Sequence, residues 1–221
     1  MVETAQAIAF QGAHGAYSDM ACRAVYPDRP TLPCESFEDT FMAVREGQAE
    51  LAMIPIENSS AGRVADIHHL LPDSGLHIIG EHFQKVEHQL LAVPGARLED
   101  LKQVHSHVQA LSQCRNFLRS RGLLPVVHPD TAGAAKEVAE RGDVTRGAVG
   151  SALAGEIYGL QTLIPNIHDQ PHNTTRFVIM AREPSEVGPD EELVITSLVF
   201  RVRSVPAALY KARSEERRVG K

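Results

Sequence analysis

Residues 55–62, Pro-Ile-Glu-Asn-Ser-Ser-Ala-Gly, directly follow an apolar run and offer several groups that could take part in chemistry. Glu57 can donate or accept a proton, while Asn58 and Ser59 are neutral hydrogen-bonding groups. A simpler interpretation is that Ser59 or Ser60 caps a following helix. Because Glu57 and Asn58 have no local structural task, the segment predicts a binding or catalytic site.

A second polar segment, residues 172–177, reads His-Asn-Thr-Thr-Arg-Phe and leads into an apolar strand. Arg176 stands at the opening of that strand, where an arginine needs an anionic partner. Its planar guanidinium forms paired hydrogen bonds with carboxylates, which a lysine cannot do. The segment therefore predicts that Arg176 binds a carboxylate.

Two further segments carry polar groups next to predicted strands. Residues 12–18, Gly-Ala-His-Gly-Ala-Tyr-Ser, place two glycines before a helix, where backbone N–H groups could bind an anion. A tight turn with Ser18 as the helix N-cap is an equally good interpretation. In the segment 106–114, Gln109 and Gln113 share one helix face, although such residues in isolation are mostly surface polar groups.

The composition argues against several classes of function. The 28 acids and 22 bases give a formal net charge of −6, and a nucleic-acid partner would need a basic face. No apolar run approaches the roughly 18 residues of a membrane span, and the N-terminal segment lacks the features of a signal peptide. Three cysteines without a CxxC pair and histidines without ligand spacing predict a cytoplasmic protein without a metal site.

Strands that alternate with helices of about ten residues predict an α/β fold with a largely parallel sheet, whose strand ends form the ligand-binding edge. The predicted strands are residues 7–10, 51–56, 76–79, 89–93, 104–105, 123–127, 148–149 and 176–180. The predicted helices are residues 18–26, a helix capped by Ser36 that stops at Gly47, and residues 109–119, 131–141 and 152–158.

Residues 182–192 are acidic, contain proline and glycine, and predict a linker between domains. The apolar run at 193–202 and the helical pattern at 207–211 predict the start of a second domain. About 29 residues follow the linker, fewer than the roughly 40 that usually fold independently. We therefore expect this second domain to be incomplete.

Four motifs, in this order and spacing, together resemble prephenate dehydratase. They are Gly12-x-x-Gly15-x-Tyr17-Ser18, Pro55-Ile56-Glu57-Asn58-Ser59, Ser106-His107-x-Gln109-x-x-x-Gln113-Cys114, and Thr175-Arg176-Phe177 after an amide residue. The resemblance covers residues 7–181. Residues 196–200 and 206–211 resemble the start of the ACT regulatory domain that these enzymes carry.

The resemblance implies a two-lobed catalytic domain at 1–181, similar to type II periplasmic binding proteins, with its active site in the cleft between the lobes. Lobe 1 would comprise about 1–80 and 171–181, lobe 2 about 81–170, and the ACT domain would begin at 193–212. The implied reaction converts prephenate to phenylpyruvate in phenylalanine biosynthesis, a carbon–oxygen lyase reaction without a cofactor. The family also implies a homodimer or tetramer that L-phenylalanine inhibits allosterically.

The substrate of this family carries two carboxylates and a ring hydroxyl, and expelling the hydroxyl requires a proton or a strong hydrogen bond. The resemblance implies that Thr175 serves this purpose as a hydrogen-bond donor or proton relay, because an alcohol is too weak an acid to ionise near pH 7. Arg176 would anchor a carboxylate. The other implied residues are Glu57, Asn58, Ser106 and Gln113 as catalytic groups, and Tyr17, Ser18, Ser59, Gln109 and Phe177 as substrate-binding groups.

Two departures from the family pattern affect regulation. The Gly-Ala-Leu turn of the phenylalanine site reads Ala207-Ala208-Leu209 here, and the later Glu-Ser-Arg-Pro motif is absent. Residues 213–221 do not continue the family pattern, and we expect them to be non-native. Three alternatives stay open: an arogenate dehydratase, a non-catalytic small-anion binding protein of the same fold, and an amino-acid sensor built on the ACT segment.

Overall fold

A computed structural model describes residues 6–185 and 204–211. The chain divides into two compact units, residues 1–186 and 187–221. Most of the predicted linker, the apolar run at 193–202 and the segment 213–221 lie outside the described residues. Within the described ranges, no helix is both long and apolar enough to cross a membrane.

In the second unit, the described segment 204–211 ends in a helical turn at 208–211. Ala207, just before this turn, has a φ of 62°. This left-handed conformation favours glycine. An alanine thus adopts a glycine-like conformation at the position where the resemblance expects the glycine of the regulatory turn.

The first unit contains two sheets, each of which forms one lobe. In lobe 1 the strand order is β2-β1-β3-β11-β5, with the short β4 paired to β3. Its strands are β1 (Ile8–Gln11), β2 (Thr31–Cys34), β3 (Leu51–Asn58), β4 (Gly62–Arg63), β5 (His77–Lys85) and β11 (Thr174–Ala181). Helix α1 (Tyr17–Val25) packs on one face of this sheet, while α2 (Phe37–Arg45) and α3 (Ala65–Leu70) pack on the other.

Lobe 2 has the strand order β10-β6-β9-β7-β8. Its strands are β6 (Gln89–Ala92), β7 (Gln103–Ser106), β8 (Leu124–Val127), β9 (Arg146–Gly150) and β10 (Gln161–Ile164). Its helices are α4 (Val108–Gln113), α5 (Arg115–Ser120), α6 (Thr131–Arg141) and α7 (Ala152–Tyr158). Aliphatic side chains, among them Leu90, Leu91 and Val104, form a separate buried core in this lobe.

The prediction of a largely parallel sheet is wrong. Between described residues, four strand pairings are parallel and five are antiparallel. The chain leaves lobe 1 after β5, builds lobe 2, and returns as β11, which inserts between β3 and β5 and runs antiparallel to both. Alternation of helices and strands along the sequence does not reveal the direction of such a returning strand.

Three helices form where the sequence predicts them, and their caps explain why. At the start of α2, Ser36 and Asp39 form a reciprocal capping box. The side chain of Asp130 accepts a hydrogen bond at the start of α6, and Gly142 ends that helix in the left-handed conformation. Ser151 caps α7 in the same way as Asp130 caps α6.

Other boundaries differ from the prediction. Helix α1 begins directly after Ala16, so Ser18 lies within its first turn and is not its N-cap. The predicted helix at 109–119 is two helices that meet at Cys114. Strand β5 extends to Lys85, past the predicted lobe boundary at residue 80. The unpredicted strand β2 contains Pro33, which is tolerated because β2 lies at the sheet edge.

The glycine-containing loop before α1 is a tight turn in which the N–H groups of both glycines are already bonded. Gly12 N–H donates to the carbonyl of Cys34 at 2.9 Å. Gly15 N–H donates to the buried carboxylate of Asp19 at 2.8 Å. Neither group is free for an anion, so the structure favours the tight-turn interpretation.

The same loop joins the two lobes. Ser151 donates its hydroxyl proton to the carbonyl of Gly15 at 2.5 Å, and Tyr158 donates to the carbonyl of His14 at 2.8 Å. Gly15 has a φ of 87°, and a Cβ atom built on it would lie 2.7 Å from the Cα of Ala154. Only glycine permits this approach between the loop and α7.

We expect Gly15→Ala to lower the free energy of unfolding by about 2 to 4 kcal/mol, because left-handed strain and overpacking against α7 add together. Gly142→Ala is the matched control: Gly142 has a φ of 63°, but a Cβ atom added there would have no atom within 4 Å. That control should lose only about 1 kcal/mol. Urea unfolding of both variants measures the difference, and equal losses would contradict a close contact between the lobes at Gly15.

Candidate active site at the junction of the lobes

The predicted polar segments converge on Asn58, at the end of β3. Thr175 lies directly opposite Asn58 because β11 pairs antiparallel with β3. Asn58 Nδ2 donates to Thr175 Oγ1 at 2.9 Å and to Asn173 Oδ1 at 2.8 Å. Asn58 Oδ1 accepts from the backbone N–H groups of Ser60 and Ala61, both at 2.9 Å. The amide of Asn58 is thus fully bonded and held in one orientation.

The hydrogen bonds continue from Asn173 into lobe 2 and back. Asn173 Nδ2 donates to Gln113 Oε1 at 3.0 Å, and the same oxygen lies 2.7 Å from His88 Nε2. His88 Nδ1 lies 2.8 Å from the Tyr17 hydroxyl oxygen, in lobe 1. These six side chains form what we call the interlobe network: Tyr17, Asn58, His88, Gln113, Asn173 and Thr175.

Two members of the interlobe network lie where the chain crosses between the lobes. His88 belongs to the connection between β5 and β6, and Asn173 to the connection between β10 and β11. Two backbone hydrogen bonds join the crossings. Ile167 N–H donates to the carbonyl of His88 at 2.9 Å, and Val86 N–H donates to the carbonyl of Asn173 at 2.8 Å. The backbone thereby places both side chains at the junction.

The interlobe network consists of hydroxyls, amides and one imidazole, and none of its hydrogen bonds involves a carboxylate. His88 is only 2% exposed. Burial lowers the pKa of His88 to about 4, although its hydrogen bond with Gln113 acts in the opposite direction. Burial also raises the pKa of Tyr17 well above its usual value, with nearby Cys114 and Glu87 adding to the effect. The network is therefore uncharged near pH 7.

Two donors of the interlobe network remain available to a ligand. Thr175 Oγ1 accepts a hydrogen bond from Asn58 Nδ2, and its own O–H has no acceptor among the described residues. The hydrogen bonds to Gln113 both use its side-chain oxygen, which leaves its Nε2 group without an acceptor in the described part of the chain. Thr175 is 8% exposed and Gln113 is half-buried. A ligand at the junction would meet an O–H and an N–H donor, which suit an anion or a departing hydroxyl.

Arg176 and Glu57, both expected at the site, face away from it. Successive strand residues point to alternate faces of a sheet, so Arg176 leaves β11 away from Thr175, and Glu57 leaves β3 away from Asn58. The anionic partner of Arg176 is Glu81 on β5, whose Oε2 lies 2.6 Å from Nη2 and 2.9 Å from Nε. The guanidinium is paired within the protein, and its expected role as the carboxylate anchor stays a prediction.

Three other expected site residues have structural roles. Phe177 is 1% exposed and packs in the core of lobe 1, so it is not a ligand contact. Ser106 is fully buried and donates its proton to the carbonyl of Val149 at 2.6 Å. The hydroxyl of Ser59 bonds to backbone groups of the segment 172–174 on both sides, at 3.0 Å. Both serine hydroxyls donate to backbone carbonyls within the protein, and their expected roles toward substrate stay predictions.

Ser18 and Gln109 have no side-chain hydrogen bond to another described residue. Ser18 follows Tyr17 in the first turn of α1. Gln109 is exposed and lies one turn before Gln113 in α4. Among the described residues, no three His, Cys, Asp or Glu side chains lie close enough together to hold a metal ion. Contact of Ser18 and Gln109 with a ligand stays a prediction.

Two network residues were missed by sequence reasoning. His88 belongs to no recognisable motif, and its only signal is a polar side chain at the boundary between two apolar strands. Asn173 falls within the predicted segment 172–177, but nothing in that segment indicates that its amide, and not the neighbouring arginine, joins Asn58. Both positions depend on how the chain crosses between the lobes.

Comparison with known proteins identifies close relatives. The family model for prephenate dehydratase matches residues 8–185, which include the whole interlobe network. A bifunctional N-acyl-homoserine lactone acylase/prephenate dehydratase from Komagataeibacter europaeus is 54% identical over 205 residues, covering 93% of this chain and 73% of that protein. Arogenate dehydratase 2 from Petunia hybrida is 44% identical over 205 residues, covering 93% of this chain. The chain spans only 52% of that plant relative.

Solved structures agree with this assignment. GqqA, described as a novel type of quorum quenching acylase, matches with a TM-score of 0.85 and 48% identity, covering 97% of this chain and 78% of that chain. A prephenate dehydratase from Arthrobacter aurescens in complex with L-Phe matches with a TM-score of 0.80 and 26% identity, covering 95% of this chain and 71% of that chain. These matches confirm the predicted two-lobed α/β fold.

We expect the buried His88 to make folding stability sensitive to acid. Its pKa is about 4 in the folded protein and about 6.5 when unfolded, so the unfolded chain binds the extra proton between these values. His88 therefore stabilises the fold fully above pH 6.5, and this contribution is lost as the pH falls towards 4, for a loss of roughly 2 to 3 kcal/mol at pH 4.5.

Urea unfolding at pH 7 and pH 4.5 measures the effect in the wild type and in His88→Gln, which has no titrating ring. Other histidines titrate in both proteins, so the difference between them reports His88. An NMR titration of the His88 ring protons in the wild type checks the same value directly. A ring that titrates near 6.5 would contradict the buried, neutral state.

Proposed function

The chain belongs to the prephenate dehydratase family, and from this premise we propose that it converts prephenate to phenylpyruvate, carbon dioxide and water. The observation that carries the proposal is the uncharged interlobe network, in which the Thr175 O–H has no acceptor among the described residues. The reaction requires that kind of donor. It must reach the departing hydroxyl without a cation beside the carboxylate that is lost.

The bond changes are simple. The bond between the ring and its carboxylate breaks and releases carbon dioxide, its electron pair enters the ring, and the carbon–oxygen bond on the opposite side breaks to release hydroxide. The ring becomes aromatic, and one proton converts the hydroxide to water. The sequence is redox-neutral, so the balance requires no electron acceptor.

Thr175 is suited to assist the departure of the hydroxide. Its O–H donates to the leaving oxygen, while the N–H of Asn58 already donates to Thr175 Oγ1 at 2.9 Å. A hydrogen bond accepted by Oγ1 polarises the hydroxyl and strengthens its own donation. Thr175 can therefore act as a strong hydrogen-bond donor, or relay a proton from solvent, without ever becoming a free alkoxide.

The neutral surroundings favour decarboxylation. A carboxylate that is to leave as carbon dioxide loses its charge, so any cation paired with it stabilises the ground state more than the transition state. Gln113 offers N–H groups and no charge. Arg176 is paired with Glu81 on the other face of the sheet. This arrangement supports an uncharged site for the reacting ring.

The same neutrality favours prephenate over arogenate. Arogenate carries an ammonium group where prephenate has a keto group, and a buried ammonium needs a carboxylate partner. No carboxylate among the described residues hydrogen-bonds to the interlobe network, and Glu57, the one acid within the four motifs, faces away. Several relatives carry the name arogenate dehydratase, so arogenate is the first alternative substrate.

The acylase activity named for two relatives is a second candidate function for this chain. Amide hydrolysis by a hydroxyl nucleophile requires a general base within hydrogen-bond reach. The only side chain bonded to Thr175 among the described residues is the amide of Asn58, which donates and cannot take a proton. The interlobe network therefore supports dehydration better than acyl transfer.

Regulation by L-phenylalanine and assembly into a dimer or tetramer stay predictions. The family member from Arthrobacter aurescens was solved with L-Phe. In this chain, Ala207, Ala208 and Leu209 are described only within the segment 204–211, and the described residues contain no further part of that regulatory domain.

We expect Thr175→Val to lower kcat on prephenate by at least about a hundredfold, the usual contribution of a positioned proton donor, with a smaller change in KM. Valine matches threonine in shape but lacks the hydroxyl. Thr175→Ser is the matched control, since it keeps the O–H group and should retain activity within about tenfold of the wild type. Formation of phenylpyruvate, read by its absorbance in alkali, measures both variants.

The same preparations are assayed with arogenate and with an N-acyl-homoserine lactone. Turnover of prephenate alone supports the proposal, and faster turnover of arogenate would replace the substrate. An unchanged kcat in Thr175→Val would remove Thr175 from the reaction. Release of a free homoserine lactone, lost in the same variant, would establish acyl transfer in its place.

A separate prediction concerns Arg176. If its partner is Glu81, Arg176→Leu and Glu81→Gln should both change KM for prephenate by less than about threefold, and each should cost about 1 kcal/mol of stability, as partly exposed pairs do. A substrate anchor would behave differently. Arg176→Leu alone would then raise KM by about tenfold or more, whereas Glu81→Gln would free the guanidinium and lower KM. Steady-state kinetics and urea unfolding separate the two outcomes.

A further inference from the structure

The amide of Gln113 can present either its oxygen or its N–H2 group to a ligand, because a half-turn of the side chain exchanges the two. Toward an anionic substrate the orientations have opposite effects, since the N–H2 group attracts an anion and the oxygen repels it. The choice of orientation therefore decides whether Gln113 assists binding or opposes it.

The backbone determines this orientation from a distance. The N–H groups of Ser60 and Ala61 can only donate, so the group of Asn58 that faces them must be its oxygen. Asn58 Nδ2 then faces Asn173 Oδ1, and Asn173 Nδ2 faces Gln113 Oε1. Each amide is oriented by the one before it.

The same series of hydrogen bonds determines which ring nitrogen of His88 carries the proton. Gln113 Oε1 accepts only, so His88 Nε2, 2.7 Å away, must carry a proton. In the buried, neutral ring, Nδ1 then carries no proton and accepts a hydrogen bond from the Tyr17 hydroxyl at 2.8 Å. The carbonyl of Glu87, which also lies 3.0 Å from the Tyr17 hydroxyl, has a second donor in Gln89 Nε2 at 3.1 Å.

We infer that His88 is a positioning residue: as the Nε2–H tautomer it holds the side-chain oxygen of Gln113 and turns the Gln113 N–H2 group toward the substrate. The inference deepens the proposed function and depends on it for its kinetic consequence. His88 is 2% exposed and lies behind Gln113, so it acts through that residue. Without it, only Asn173 would oppose a half-turn of the Gln113 amide.

Two substitutions of similar polarity separate this role from a general structural one. Glutamine at position 88 places an amide N–H near the former Nε2 atom, whereas the shorter asparagine reaches only the former Nδ1 position. We expect His88→Asn to lower kcat/KM for prephenate by about tenfold to a hundredfold, the range for losing a hydrogen bond to a charged group. His88→Gln should recover about tenfold of that loss.

Rates are normalised to the folded fraction from circular dichroism, so that a loss of stability is not counted as a loss of positioning. Equal activity of the two variants, both well below the wild type, would overturn the role of the Nε2–H group. Wild-type activity in His88→Asn would overturn it as well.

An NMR measurement on the wild type tests the tautomer without any substitution. In protein labelled with 15N-histidine, couplings between the ring nitrogens and the carbon-bound ring protons distinguish the Nε2–H tautomer, the Nδ1–H tautomer and the imidazolium. We expect the Nε2–H form at pH 7, and an Nδ1–H form would overturn the inference. If the wild type turned over neither prephenate nor arogenate, the proposed function would fail, and this measurement would still decide the assignment of His88.

Discussion

The antiparallel insertion of β11 between β3 and β5 is the constraint on which the site depends. Hydrogen bonds to both neighbours fix the register of β11, so Thr175 lies opposite Asn58 and cannot slide along the sheet. The register also sends Arg176 to the other face. As the chain returns to lobe 1 as β11, the connection that contains Asn173 packs against the connection that contains His88. The insertion of one strand thus assembles residues that are far apart in the sequence.

An uncharged network at the junction follows from burial. A charged group there would lose its hydration without a compensating ion, and no carboxylate or guanidinium hydrogen-bonds to the network among the described residues. Amides and hydroxyls can be satisfied by one another, and the backbone donors at Ser60 and Ala61 set the direction of the whole chain of bonds. Burial disfavours charged side chains at the junction, and the proposed reaction also requires an uncharged site. Both conditions are met by amides and hydroxyls.

The sequence predicts the helices with strong local signals. The predicted cap at Ser36 is present as a capping box, and α6 and α7 begin at side-chain caps and end at glycines, all of which act within a few residues. Local signals predicted the wrong cap for α1, and they missed the break between α4 and α5. They also favoured a largely parallel sheet, because strand direction depends on pairing between distant segments.

For the site, the sequence by itself determined which segments matter, since polar residues next to apolar strands at 55–62, 106–114 and 172–177 all supply members of the interlobe network or its neighbours. Only the tertiary structure decided which residues of each segment face the junction. Side chains alternate between the two faces of the sheet along β3 and β11, so Asn58 and Thr175 face the junction while Glu57 and Arg176 face away. His88 reaches the junction from the connection between the lobes. Residue type is a local property, but the face and the partner of a side chain depend on register and topology, which the chain acquires only when the lobes are built.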